Sequence, residues 1–116
     1  MVERGADGAF VILSSKPGRY RTCAPAGSEV VEHWEYRFCG RAQASHMIVR
    51  LDGARLAATR IRIVDIQGPP VSSEVPIKLV ALYRTPAAAR AVLQQLVTRG
   101  GGDAGLHPLP LPCLPA

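Results

Sequence analysis

The sequence predicts an α+β fold: an antiparallel β-meander of about five or six strands, with one main C-terminal helix packed on one face. Three observations carry that expectation. Across Glu29–Cys39 apolar and polar residues alternate with period two: Val30, Trp34, Tyr36 and Phe38 share one parity, and His33, Glu35 and Arg37 the other. Asp52-Gly53 separates two further apolar runs, a hairpin signal because both central positions of a type I′ turn take positive φ. Thr85-Pro86 opens a stretch in which Ala89, Val92, Leu93 and Leu96 recur at helical spacing. A hydroxyl cap followed by proline is a helix start, since the N–H that proline lacks has no partner inside the helix.

The chain has 116 residues, of which 47 % are hydrophobic and 20 % charged, enough for one modest core. That composition argues against a wholly disordered chain, and no apolar run approaches the ~18 residues of a membrane span. Met1–Ala9 lacks a basic region followed by a long apolar stretch, so a bacterial cytoplasm is the expected compartment. Cys23, Cys39 and Cys113 are odd in number and show no CxxC spacing, unlike a disulfide framework or a zinc module.

In order along the chain, residues 1–8 are polar and read as a frayed terminus. Ala9–Ser15 and Arg19–Cys23 read as strands of a first hairpin around Lys16-Pro17-Gly18. Glu29–Cys39 and Ala44–Leu51 form the next pair, with Gly40–Gln43 as their turn, and Ala54–Ile66 follows Asp52-Gly53 as a long strand. The prolines and serines of Gln67–Pro76 read as a loop. Ile77–Tyr83, apolar on both parities apart from Lys78, reads as a buried strand in preference to a short helix. Gly100 stops the helix after Arg99, and residues 100–116, rich in glycine, leucine and proline, read as a flexible tail. The folded domain is therefore expected to span residues 9–99.

Pairing the second hairpin around Gly40–Gln43 sets Trp34 against Val49 and Tyr36 against Met47. On the other face it sets His33 against Arg50 and Arg37 against His46, so apolar and polar residues separate. Carrying the same parity through Asp52-Gly53 would bury Arg60. A β-bulge near Ala57–Ala58 is therefore expected to return Ile61 and Ile63 to the core. One sheet face would then collect Arg37, Arg50, Arg55, Arg60, Arg62, His33 and His46, with Glu35 as its only acid.

That face is the candidate site for an anion or a partner. Net charge is +5, and twelve of the fourteen Lys and Arg residues are arginines. The excess of arginine fits a GC-rich genome, while clustered guanidinium groups also fork onto anionic groups. The leading expectation is a non-catalytic binding or interaction module able to pair as a homodimer. Nucleic-acid or phosphate binding through the arginine face is the alternative. A third reading is a small enzyme using His33 and Glu35 in a subunit-interface pocket, because acid–base work needs a pocket that an open sheet lacks. No cofactor is expected. His33 and Cys39 stand about 20 Å apart along one strand, too far to share a metal ion.

Overall fold

A computed structural model describes residues 9–69, 71–100, 102 and 104–111, without the side chains of Ala54, Arg55 and Ala57. The fold is α+β, with seven strands in two antiparallel sheets and one main helix. The strands are β1 (Phe10–Ser15), β2 (Tyr20–Cys23), β3 (Glu29–Phe38), β4 (Arg41–Arg50), β5 (Arg60–Asp65), β6 (Val71–Pro76) and β7 (Ala104–Pro108). Helix α1 spans Pro86–Gly100. Sheet A has the order β1-β4-β3-β7, and sheet B the order β2-β5-β6.

The fold has three layers because sheet A is apolar on both faces. Val11, Leu13, Val30 and Val49 pack toward Ile61 and Ile77, beside sheet B. Phe10 and Ile48 pack on the other side against Ala89 and Leu93 of α1, with Trp34 and Leu106 around them. The single covered face of the sequence reading is thus two covered faces.

The helix begins as its capping chemistry dictates, with the Thr85 hydroxyl accepting the Ala88 N–H at 3.0 Å. Its buried stripe runs through Ala89 and Leu93, which are 0 % and 1 % exposed. Leu96, expected on that stripe, is 45 % exposed, and the half-buried Val97 takes its place one step further round.

The β3–β4 hairpin turns at Cys39-Gly40, not at Gly40–Gln43. Both residues take positive φ, 53° and 75°, as a two-residue type I′ turn requires. A register shift between Tyr36 and Arg37 adds a residue on the β4 side, so Trp34 faces His46, and His33 faces Met47. A bulge between Val30 and Glu32 adds a residue to β3 and reverses its faces, so Val30 looks to sheet B and Trp34 to the helix.

Five further expectations are corrected. The first hairpin has a single bridge, Lys16–Tyr20, after which β2 leaves β1 to pair with β5. Asp52-Gly53 leads into a 3₁₀ turn over Gly53–Ala58 in place of a hairpin and a bulge, and β5 pairs in sheet B. Gln67–Pro76 supplies β6, and Ile77–Leu79 is a 3₁₀ turn where a strand was expected. The presumed tail supplies β7, which pairs with β3.

Because Leu93 is fully buried and Leu96 is not, the two leucines separate core from surface. Leu93→Ala is expected to cost about 2–5 kcal/mol in chemical denaturation, and Leu96→Ala about 0.5 kcal/mol or less. Equal losses would place the helix in a different rotation.

Candidate functional site

The structure distributes the predicted arginine face over four places. Arg60 and Arg62 lie on the outer face of sheet B, exposed, with Ile61 between them pointing into the core at 3 % exposure. Their outward parity is as expected, although the 3₁₀ turn and not a bulge produces it. Arg21, which the sequence reading left out, joins them from β2, where it pairs with Val64, two residues beyond Arg62. Its signal was parity: it flanks the buried Thr22 as Arg60 and Arg62 flank Ile61.

Arg37, Glu35 and His33 remain together on β3, on the face of sheet A turned toward sheet B. Arg37 Nε donates to Glu35 Oε1 at 2.6 Å. His33 Nδ1 lies 2.9 Å from the Pro110 carbonyl, and the His33 carbonyl accepts the Leu109 N–H. Arg50 sits at the end of β4 and is ion-paired with Glu29. The Arg55 side chain lies outside the described residues.

His46 leaves the polar group altogether. It faces Trp34 across the β3–β4 pair, is 8 % exposed, and its Nδ1 is 2.7 Å from the Ser14 hydroxyl. Burial holds its pKa below the ordinary 6.5, so the ring is neutral in the folded protein near neutral pH.

The strongest polar cluster joins sheet A to the helix. Arg90 Nε donates to Glu32 Oε1 at 2.9 Å, Arg90 Nη2 donates to Glu32 Oε2, and Trp34 Nε1 donates to Glu32 Oε1 at 2.8 Å. The fork of hydrogen bonds from Arg90 holds the Glu32 carboxyl below its ordinary pKa against the opposing effect of burial, and Glu32 raises that of Arg90. The cluster positions the helix, and all three donors are committed within it.

Two features remain open to a ligand or partner. The first is the outer face of sheet B, where Arg21, Arg60 and Arg62 have no carboxylate partner among the described residues. A groove of about 420 Å³ runs along its edge between Cys23–Ser28 and Thr59–Arg62. The second is an apolar cleft of about 420 Å³ between the two sheets. Among the described residues no three His, Cys, Asp or Glu side chains converge as metal ligands. No described helix is long and apolar enough to cross a membrane.

His46 and Glu32 give the fold a pH dependence with a known sign. Both pKa values are lower folded than unfolded, so unfolding takes up protons and stability is lost as pH falls. In denaturation midpoints measured across pH, one loss is expected below about 6.5, from His46, and a second below about 4.5, from Glu32. His46→Gln should remove the first and Glu32→Gln the second; a first loss that survives His46→Gln would assign it to another group.

No family model, curated protein or solved structure matches this chain.

Proposed function

We propose that this protein is a non-catalytic interaction module that pairs with a second copy of itself through the free edge of β6. The observation that carries the proposal is the direction of the β6 backbone groups. Ile77 N–H donates to the Thr59 carbonyl, and on the far side of β5 Ile66 N–H donates to the Arg19 carbonyl. With the Cα register this places Val71, Ser73 and Val75 in hydrogen-bonded pairs with β5. Ser72 and Glu74 therefore turn their N–H and C=O groups outward.

The edges of sheet A are less open. In β1, Phe10 exchanges both backbone bonds with Tyr83, and the Ser14 carbonyl accepts the Thr22 hydroxyl. In β7, Pro108 removes a donor and the strand has only five residues. β6 has six residues, no lysine or arginine, and Val71 at 59 % exposure. Its proline, Pro76, stands at the last position and Glu74 is its one charge; it lacks the inward charge, bulge or lysine that commonly guards an edge.

A two-fold axis at Ser73 makes the strand complementary to itself. Ser72 of one copy faces Glu74 of the other, both outward pairs of backbone groups are satisfied, and no two carboxylates are opposed. The product is a continuous six-stranded sheet. A bacterial cytoplasm, the compartment expected from the sequence, belongs to the same proposal.

A second reading, anion or nucleic-acid binding, is favoured by the three unpaired arginines on the outer face of sheet B. The dimer would bring two such sets onto one surface, and their contacts with phosphates would weaken steeply with salt.

Sedimentation of the full chain is expected to show a dimer. Ser72→Pro should yield a monomer with a near-unchanged denaturation midpoint, because its N–H points away from β5. Ser73→Lys, which opposes two like charges at the axis, should weaken the dimer without altering the backbone. A wild-type monomer, or a dimer indifferent to both substitutions, would overturn the proposal. For the second reading, Arg60→Ala with Arg62→Ala should abolish low-salt binding of a random oligonucleotide; no binding by the wild type would end it.

A further inference from the structure

We infer that the cleft between the sheets is a binding site for a single-chain amphiphile with an anionic head, the chemistry of a medium-chain alkyl carboxylate. The tail site comes first. Leu13 from β1, Ile61 and Ile63 from β5, Val75 from β6 and Val80 line an opening of about 420 Å³, within the ~300–1,000 Å³ usual for ligand sites. Opposed sheets lie about 10 Å apart, and side chains from both normally interdigitate across that gap. Here the gap stays open at the end where β1 and β2 part.

The polar groups in the wall are already committed. Thr22 N–H donates to Ser15 Oγ at 2.9 Å, and the Thr22 hydroxyl donates to the Ser14 carbonyl at 2.5 Å. The Ser14 hydroxyl is 2.7 Å from His46 Nδ1. Apart from Tyr20 at the mouth, a ligand in the cleft therefore meets methyl and methylene groups, and burying an alkyl chain against them requires none of these committed groups to lose a partner.

The mouth supplies the charge. An adjoining pocket shares Tyr20 and Ile63 with the cleft and adds Lys16 and Arg19 from the β1–β2 turn, with Asp65 across from them. The Asp65 carboxylate accepts the Gln67 N–H at 2.9 Å, within its own turn. Two cations against one carboxylate favour an anionic head and disfavour a cationic one. The mouth borders the β6 edge, with Val71 and Ser73 in its lining, but edge pairing extends the sheet in its plane and leaves the cleft between the sheets uncovered.

Calorimetric titration of the full chain with decanoate tests the assignment. Saturable binding of one decanoate per chain is expected, tightening by up to about fourfold per methylene from octanoate to dodecanoate. Decyltrimethylammonium should bind at least tenfold more weakly. Lys16→Ala with Arg19→Ala should weaken decanoate by roughly tenfold, the scale of one charge-assisted hydrogen bond. Ile63→Trp should abolish binding by filling the cleft. Should that variant unfold, amide shift mapping on the wild type takes its place, with changes expected at Tyr20, Ile63 and Val80. No saturable binding, equal affinity for the cationic amphiphile, or shifts confined to the helix side of sheet A would each overturn the inference.

Discussion

The structure depends on a sheet that cannot leave either face in water. In sheet A, Val11 and Val49 are fully buried on one side, while Ile48 is fully buried and Phe10 7 % exposed on the other. Such a sheet needs two covers. Helix α1 provides one of them. The second has to come from chain that would otherwise extend sheet A, so β2 turns away from β1 and β5 from β4 to build sheet B with β6. The departure leaves backbone groups of β1 without a ladder partner at its end. Thr22 repairs this by bonding its hydroxyl to the Ser14 carbonyl and its N–H to the Ser15 hydroxyl.

The same constraint explains which parts of the fold were legible in sequence. The strand character of β3, the cap at Thr85 and the outward parity of Arg60 and Arg62 depend on neighbours a few residues away, and they read correctly. Register did not. β4 carries Met47, Ile48 and Val49 in succession because it is covered on both sides, and a strand without alternation does not specify how its partner aligns. Pairing apolar with apolar across Gly40–Gln43 therefore looked self-consistent, although Cys39-Gly40 makes the tighter turn. The bulge at Val31 compounded the error, since it splits Val30 and Trp34 between opposite faces that an unbroken strand would share.

The candidate site was legible only where it is local. Glu35 and Arg37, two residues apart, do pair, and Arg60 and Arg62 do share a face. Gathering them with Arg50, His33 and His46 required the register, and failed with it. Glu32 and Arg90 are 58 residues apart, and no pattern in either segment announces their contact. Their fork of hydrogen bonds is nonetheless the specific polar link between helix and sheet, placed where Trp34 shields it. The loop-like composition of the C-terminal segment concealed β7 in a similar way. Gly105 and Pro108 are poor strand formers, but the edge of β3 supplies the hydrogen-bonding partner that propensity alone does not.

The two interiors of the molecule differ in the volume available to fill them, and this locates its functional potential. On the helix side, Phe10, Trp34 and Tyr83 pack with Ile48 and Leu93. Between the sheets the cluster is built from alanine, valine, leucine, isoleucine and methionine, with no aromatic residue among its described members. With only 5 % aromatic residues in the chain, placing them against the helix leaves aliphatic side chains to span two sheets. They succeed at the end where Leu51, Ile61 and Ile77 meet and fall short beside Thr22, which stands where a larger residue would fill the gap. Close packing is the rule in protein interiors, and an apolar opening in one costs stability that no internal contact recovers. A ligand with a flexible alkyl chain would restore the missing contacts, which makes the cleft a consequence of how the aromatic residues are shared between the two interiors.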